Sequence, residues 1–245
     1  MKKVKLGFCL VIVLICTCFT ACTDINSNTL RVGTALSFPP YEYTDTKGNV
    51  VGIDIDIMQE IANRMGKELV VETMEFDDLF VSLQYGKIDV IAAGLTVTDE
   101  RKKTMDFTES YASGEQKILV RTSENINTVE ELQNSKVLVG IEKGTTGADL
   151  ANSMFTMQQI REYDDATKMM DALHSGIVGA VVVDKGPAEI YAEQHNDILL
   201  LDSNYDYEEY ALAMAKGSNY TEQITTILHE MIEDGTVKNI INNYN

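Results

Sequence analysis

The sequence predicts an α/β fold in which mainly parallel strands are covered by helices on both faces. Short apolar strands alternate with amphipathic helices along the chain, and this alternation is typical of parallel sheets. The same plan then occurs a second time in the second half of the chain. These two observations favour two similar lobes over one continuous sheet.

The first half of the chain carries three predicted strands and two predicted helices. The helix at 54–65 places Ile55, Met58 and Ile61 at helical spacing, and Gly66 is its predicted C-cap. The second helix is predicted at 77–85. The strands are predicted at 30–33, 68–72 and 88–93.

The second half repeats the pattern and then extends it. Strands are predicted at 137–141, 160–163 and 180–183, and helices at 146–155, 166–175 and 187–194. The succession of a helix end, a glycine and a buried strand occurs twice, around Gly86 and, 90 residues later, around Gly176. A further strand at 210–215 precedes two closing helices, at 221–233 and 236–243.

The N-terminus has the pattern of a secretory signal peptide, residues 1–21. Lys2, Lys3 and Lys5 precede an uncharged apolar run at 6–19, which is shorter than the roughly 20 residues of a membrane span. The segment that ends at Cys22 resembles a bacterial lipobox, with Phe at position 19 where Leu is usual. We therefore expect an acylated Cys22 and a polar tether at 22–29. An ordinary cleaved secretory protein is the alternative.

The composition excludes several classes of function. The formal net charge of −18 disfavours nucleic acid, because phosphate contacts need clustered Lys and Arg. No cysteine follows Cys22, so neither a disulfide nor a thiol metal site is expected. His174, His195 and His229 lie in separate helical contexts without metal-ligand spacing, so metal binding is not expected. No nucleophile elbow or Walker loop occurs, so no catalytic residue and no cofactor are predicted.

Polar side chains follow four of the predicted strands, at the point where ligands bind in open α/β sheets. The residues at these points suit an amino-acid zwitterion. Arg101 can bind a carboxylate with two parallel hydrogen bonds, and Asp184 can accept hydrogen bonds from an ammonium. The turn at 144–147 opens a helix, whose N–H groups favour a carboxylate. Phe38 can cover apolar ligand surface.

Each of these residues also has a simpler interpretation. Arg101 lies among Glu100, Lys102 and Lys103, which is typical of a solvated helix start. Asp184 can be a helix N-cap. Phe38 and Phe76 can be core residues. The functional interpretation depends on their joint placement.

An ordered set of motifs resembles the amino-acid-binding solute-binding proteins of ABC importers (family 3), from about residue 30 to the C-terminus. The motifs begin with Arg31-Val32-Gly33-Thr34, Phe38-Pro39-Pro40-Tyr41-Glu42 and Val51-Gly52-Ile53-Asp54-Ile55-Asp56. They continue with Leu83-Gln84-Tyr85-Gly86-Lys87-Ile88-Asp89, Gly94-Leu95-Thr96-Val97-Thr98-Asp99-Glu100-Arg101 and Met105-Asp106-Phe107. They end with Gly144-Thr145-Thr146-Gly147, residues 180–184 and Asp234-Gly235-Thr236.

The resemblance implies a two-lobed, type II periplasmic-binding-protein-like fold whose lobes are joined by two crossing strands. Lobe 1 would comprise 30–113 plus 207–245, and lobe 2 would comprise 114–206. It also implies that a free L-amino acid is captured between the lobes and delivered to the permease and ATPase subunits. The protein would be exported and anchored by lipid on Cys22 to the outer face of the bacterial membrane, or face the periplasm.

The resemblance also assigns roles to nine residues. Arg101 would bind the α-carboxylate with help from Thr96, Thr145 and Thr146. Asp184 and the Gly94 carbonyl would hold the α-ammonium. Phe38 and Phe76 would enclose the ligand side chain, and Glu142 would read a cationic or polar group on it.

One departure bears on the ligand. Ala35 stands where relatives that take cationic or amide side chains often carry an acidic residue, while Glu142 stands where Gln is common. Polar neutral amino acids, cystine and arginine therefore stay open.

Two other functions are possible on this fold. A cyclohexadienyl dehydratase would act on prephenate or arogenate, but prephenate has no ammonium for Asp184 to hold. A sensor that presents its ligand to a receptor would need a partner, because no output domain is attached. A binding protein, and not an enzyme, is the prediction.

Overall fold

The computed structural model describes residues 28–203, 205 and 207–244. The predicted signal peptide at 1–21, Cys22 and most of the predicted tether at 22–29 lie outside the described residues. Thr29 is described and begins the first strand, so it is not part of a tether. Within these described ranges, no helix has both the length and the apolar character needed to cross a membrane.

The described residues form eight α-helices. They are α1 (Ile53–Met65), α2 (Phe76–Gln84), α3 (Val129–Gln133), α4 (Thr146–Met154), α5 (Ala166–Ser175), α6 (Lys185–Gln194), α7 (Thr221–Glu233) and α8 (Thr236–Asn242). Gly66 and Gly176 end α1 and α5 in the left-handed conformation that glycine adopts without strain. Asp165 caps the start of α5, because its side chain accepts a hydrogen bond from the Lys168 N–H.

The described residues also form fourteen strands. They are β1 (Thr29–Thr34), β2 (Ser37–Phe38), β3 (Glu42–Thr44), β4 (Val50–Val51), β5 (Glu68–Thr73), β6 (Val90–Ile91), β7 (Met105–Phe107), β8 (Ala112–Arg121), β9 (Val139–Glu142), β10 (Ile160–Tyr163), β11 (Ala180–Asp184), β12 (Ile198–Leu200), β13 (Tyr207–Tyr210) and β14 (Ala213–Ala215).

The strands form two main sheets with the same plan. The first sheet has the order β5-β1-β6-β14-β7, and the second has the order β10-β9-β11-β8-β12. In each sheet the first three strands are parallel, and the remaining pairings are antiparallel. The sheets are therefore mixed, and we call the two halves built on them the first and second lobes.

Helices cover both faces of each sheet, as the alternation predicts. In the first sheet, Val90 packs with α1 and α7, while its neighbour Ile91 packs on the opposite face with α2. In the second sheet, Val182 packs with α4, while Val181 packs with α5. Since successive side chains of a strand point to opposite faces, each sheet separates two apolar cores.

The last part of the chain returns to the first lobe. β14 pairs with β6 and with β7. Both α7 and α8 then pack against α1, with Leu228, Met231 and Val237 in the same core as Ile57 and Ile61.

Two strands connect the lobes. The first half of β8 pairs antiparallel with β13, in a register that places Gly114 opposite Glu208. The second half of β8 continues into the second sheet, where it pairs with β11. The chain thus crosses twice between the lobes, and the two crossings are hydrogen-bonded to each other.

A small antiparallel sheet, β2-β3-β4, lies at the edge of the first lobe. Its register places Phe38 opposite Glu42. This pairing brings the aromatic ring and the carboxylate to one end of the cleft between the lobes.

Most predicted elements agree with the structure, but two strands differ. The predicted strand at 210–215 is divided into β13 and β14, because the chain there leaves its partner β8 and joins β6 and β7. The predicted strand at 88–93 is reduced to Val90–Ile91. Asp89 turns its carboxylate to Arg31, accepting from both the backbone N–H at 2.9 Å and the guanidinium at 2.6 Å.

Candidate functional site

The two lobes enclose a small cavity of about 30 Å³. All nine predicted ligand-binding residues line it: Phe38, Phe76, Gly94, Thr96, Arg101, Glu142, Thr145, Thr146 and Asp184. Four further residues complete the wall, namely Ala35, Ser37, Glu42 and Ala93. A volume of this size holds about two water molecules, so the described arrangement is closed.

The Arg101 guanidinium crosses from the first lobe to the second. It donates to the Thr96 carbonyl at 2.7 Å and to the Gly144 carbonyl at 3.0 Å. Its carbon lies 5.7 Å from the centre of the Phe76 ring. Two of its five N–H groups are used in these bonds, which leaves donors for a carboxylate. Burial lowers the pKa of Arg101, and Glu208 acts in the opposite direction.

The simpler interpretation of Arg101, as a solvated helix start, does not fit its surroundings. Arg101 begins a short 3-10 turn, and its neighbours Lys102 and Lys103 are exposed. Arg101 itself is half-buried and stacks against both Phe76 and Phe80. The side chain therefore points inward, away from the exposed lysines.

Asp184 ends β11 and precedes α6, but it does not cap the helix. Its side chain makes no hydrogen bond to the first turn of α6. It accepts instead from the Tyr210 hydroxyl. Burial, followed by the charge of Glu208, raises the pKa of Asp184 to about 7, although Tyr210, Gln116 and Arg101 oppose the rise.

The threonines divide into two roles. Thr145 caps α4, since its hydroxyl accepts from the Ala148 N–H at 3.1 Å and donates to the Glu142 carbonyl at 2.9 Å. Its hydroxyl is thus committed to the fold, and its N–H remains for a ligand. Thr146 instead turns its hydroxyl toward the cleft, where it donates to Glu208.

Glu208 occupies the middle of this network and was not predicted. One carboxylate oxygen accepts from Thr96 at 2.7 Å, from Thr146 at 3.0 Å and from Gln116 at 3.3 Å. Thr96 belongs to the first lobe, while Thr146 belongs to the second. Glu208 lies on a connecting strand outside every quoted motif, so no local signal identified it.

Glu42 also lines the cavity without having been predicted as a site residue. Its side chain is 1% exposed, and neither carboxylate oxygen has a hydrogen-bond partner. Burial raises its pKa well above the ordinary value, and Asp54, Glu142 and Asp184 add to the rise. A buried carboxylate without a partner is strongly unfavourable unless it takes up a proton or meets a cation.

Glu142 lines the same cavity as Glu42. Burial raises the pKa of Glu142 to about 8, with Asp165 as the next contribution. Glu42, Glu142 and Asp184 are three carboxylates around a cavity whose lining contains one cationic residue, Arg101. Burial therefore favours the protonated forms of Glu42 and Glu142, whereas a positively charged occupant would favour their ionised forms.

Gly94 is placed by a buried hydrogen bond. Its N–H donates to Asp54 at 2.8 Å, and Asp54 also accepts from the Tyr111 hydroxyl at 2.7 Å. Gly94 has a φ of 50°, and a Cβ at this position would lie 2.4 Å from the Phe38 ring. The close approach of Phe38 therefore requires glycine.

The two phenylalanines line the cavity, each within its own aromatic cluster. Phe38 lies 5.4 Å from the Tyr41 ring, and Phe76 lies 5.5 Å from the Phe80 ring. The enclosing of a ligand side chain between Phe38 and Phe76 stays a prediction.

A larger groove of about 850 Å³ opens beside this cavity, between the small sheet and helices α5 and α6. Its lining includes Pro39, Pro40 and Tyr191 but no arginine or lysine. Because it lacks a group for an α-carboxylate, the enclosed cavity is the better candidate site.

The chain belongs to the bacterial extracellular solute-binding proteins, family 3, whose family model matches residues 30–245. It is 29% identical over 214 residues to the L-cystine-binding protein TcyJ of Escherichia coli K12, covering 86% of this chain and 80% of TcyJ. It is 25% identical over 244 residues to the arginine-binding extracellular protein ArtP of Bacillus subtilis, covering 94% of both.

A solved structure supports the same assignment. An ancestral arginine-binding protein bound to glutamine is 35% identical, with a TM-score of 0.83, and the match covers 89% of this chain and 97% of that one. The predicted two-lobed fold and the amino-acid-binding class are therefore confirmed. This family consists of solute-binding proteins, which favours binding over the dehydratase alternative.

Proposed function

We propose that the protein binds a free amino acid with a cationic side chain between its lobes and delivers it to the permease and ATPase of an ABC importer. The observation that carries this proposal is the Glu42 carboxylate, which is buried without a partner in the same cavity as Arg101 and Asp184. A ligand guanidinium or ammonium would supply the missing positive charge.

The α-carboxylate and the α-ammonium of the ligand would lie between Arg101 and Asp184. Arg101 and the N–H groups at the start of α4 would bind the α-carboxylate, while the Thr96 hydroxyl donates to Glu208. Asp184 and the Gly94 carbonyl would accept from the α-ammonium. These charge-assisted bonds are worth about 1.5–3 kcal/mol each.

The side chain would pass between Phe38 and Phe76 and reach the two glutamates. A zwitterion brings no net charge to a cavity in which burial keeps Glu42 and Glu142 largely protonated. A cationic amino acid adds one positive charge, and thereby offsets the burial of Glu42 and Glu142. Charge therefore favours arginine or lysine over cystine and polar neutral amino acids, and ArtP is a relative named for arginine binding.

Ligand entry would require the lobes to separate. A cavity of about 30 Å³ is too small to admit an amino acid from solution while Arg101 contacts Gly144 across the cleft. The division into 30–113 plus 207–245 and 114–206 would place both hinges where β8 pairs with β13. Closure would then follow binding, since the ligand contacts both lobes.

Export would place the domain outside the cell. Residues 1–21 would direct secretion, and acylation of Cys22 would hold the domain near the permease through the short tether. Labelling of cells with palmitate tests this part separately: the chain should take up the label and stay with the membrane, whereas Cys22→Ser should remain unlabelled and be released.

A thermal-shift screen tests the ligand class. Every described element lies between Thr29 and Asn242, so the chain from Thr23 onward retains the whole fold. After unfolding and refolding to remove any co-purified ligand, arginine or lysine should raise the midpoint by several degrees, since a ligand at about 100 times its Kd adds about 2.7 kcal/mol. A shift with cystine or glutamine alone would contradict the cationic class.

A further inference from the structure

Two of the three histidines of the chain meet an aspartate on the surface of the second lobe. His174 lies in the last turn of α5, His195 follows the end of α6, and Asp197 precedes β12. One ligand atom from each residue lies within 4.8 Å of the others. The sequence spacing does not indicate this group, but the fold brings the rings of His174 and His195 to within 5.1 Å of each other.

Neighbouring residues hold this group in place. The His195 ring stacks on Tyr191, with centres 4.2 Å apart and planes inclined by 27°. The Tyr191 hydroxyl donates to the Met170 carbonyl at 3.2 Å. The carbonyl of Asp197 accepts from the Thr122 N–H at 2.8 Å. Two of the three candidate ligands are thus positioned by packing or backbone bonds.

The Arg121 guanidinium lies beside this group. It donates to the backbone carbonyls of Leu173, at 2.7 Å, and of His174. Its distance to the Asp197 carboxylate is 3.9 Å, which is too long for a hydrogen bond. The guanidinium therefore binds the end of α5, and the Asp197 carboxylate stays available to another cation.

We propose that His174, His195 and Asp197 bind one divalent transition-metal ion of the kind that imidazole prefers, such as Zn²⁺ or Ni²⁺. Two imidazoles and a carboxylate suit these ions, whereas Mg²⁺ and Ca²⁺ prefer oxygen ligands alone. Bonds of about 2.0–2.2 Å bring the ligand atoms closer together than 4.8 Å. His174 and Asp197 are exposed, so small side-chain rotations can close the site. Water would complete the coordination.

The site lies at the end of the second sheet opposite to the amino-acid cavity. β9 and β11 run toward the cavity and end there at Glu142 and Asp184. α5 runs back from that end and finishes at His174 before β11 begins. A bound ion would join the ends of α5 and α6 to the start of β12. It would therefore stabilise the second lobe without touching the ligand.

Calorimetric titration of the untagged chain from Thr23 onward with ZnCl₂ and NiCl₂ tests the proposal, and this chain carries no cysteine to compete. We expect one ion per chain. His174→Gln and His195→Gln should each weaken binding by about tenfold or more, because each removes one of only three protein ligands. His229→Gln is the matched control, since His229 is an exposed histidine on α7 paired with Glu109, and it should leave binding unchanged.

The same titrations define the results that overturn the proposal. Absence of saturable heat with both ions contradicts it, and so does equal affinity in His174→Gln, His195→Gln and the unmodified chain. His195→Gln could lose stability because Tyr191 loses its stacking partner. In that case the metal affinity of His174→Gln, a substitution at an exposed position, tests the proposal. Amino-acid affinity should be the same with and without the metal.

Discussion

The Thr96 hydroxyl donates a hydrogen bond of 2.7 Å to the Glu208 carboxylate, which joins the first lobe to a strand that connects the lobes. The same oxygen accepts from Thr146 of the second lobe at 3.0 Å. Glu208 therefore links both lobes in the closed arrangement. Its charge also lies near Asp184, where it is the second cause of the raised pKa of that group.

Glu208→Gln should shift the pH dependence of amino-acid binding to lower pH. Asp184 must be ionised to accept from an ammonium, and Glu208 helps to raise the pKa of Asp184 to about 7. Removing the charge of Glu208 should lower that pKa, so the affinity should persist at a lower pH. Titrations between pH 5 and 8 measure the shift. Glu209→Gln, on the exposed neighbouring residue, should leave the curve unchanged; coincident curves for all three proteins would contradict this role.

Arg101→Ala and Asp184→Ala should each weaken amino-acid binding by several kcal/mol while the domain stays folded. Truncating one partner of a buried, hydrogen-bonded charge pair costs about 2–5 kcal/mol of binding. Calorimetry gives the affinity, and urea unfolding gives the stability. Lys102→Ala is the control, because Lys102 is exposed beside Arg101. Unchanged affinity in either site variant would remove that residue from the proposed site.

Glu42→Gln should change stability and affinity in opposite directions. At alkaline pH the Glu42 carboxyl is driven to ionise without a partner, whereas the amide stays neutral, so there the ligand-free variant should be the more stable protein. It also removes a proposed partner of the ligand cation, so affinity for a cationic amino acid should fall by about tenfold or more. Unfolding midpoints and titrations measure the two effects. Glu233→Gln, at an exposed position on α7, should change neither, and a loss of stability in Glu42→Gln at alkaline pH would contradict the unpartnered carboxyl.

The ligand-free protein should lose stability as the pH rises from about 4 to 8. Burial raises the pKa of Asp54 and Asp184 to about 7 and that of Glu142 to about 8, so the folded state retains protons that the unfolded chain has released. The resulting stabilisation is fully present below the unfolded pKa values and disappears as the pH passes through the folded ones. Urea unfolding at several pH values measures it. A stability that rises over this range would contradict these buried acids.

The sequence predicts the strand ends of the site well, because open α/β sheets place ligand groups there. Arg101, Asp184 and the turn at 144–147 all follow apolar strands, and the structure brings them to one cavity. The position of strand ends does not identify Glu42 or Glu208 as site residues. Each lies on a short strand among polar residues, where a glutamate is usually solvated. Glu42 is buried and Glu208 is half-buried through tertiary contacts, which no local pattern in the chain encodes.

Two further features depend on tertiary structure in the same way. The division of the predicted strand at 210–215 occurs where Ala211 bonds to the Leu95 carbonyl and Leu212 to the Thr108 hydroxyl. His174 lies on α5 and His195 directly follows α6, so only the tertiary structure brings their rings together.

Calorimetric titration of the refolded chain with arginine and lysine, each compared with a neutral counterpart of similar shape, tests the central claim most directly. Citrulline is the counterpart of arginine, and norleucine is the counterpart of lysine. Our account predicts that at least one cationic amino acid binds about tenfold or more tightly than its counterpart, because only the cation offsets Glu42 and Glu142. Equal or tighter binding of both neutral counterparts would contradict it.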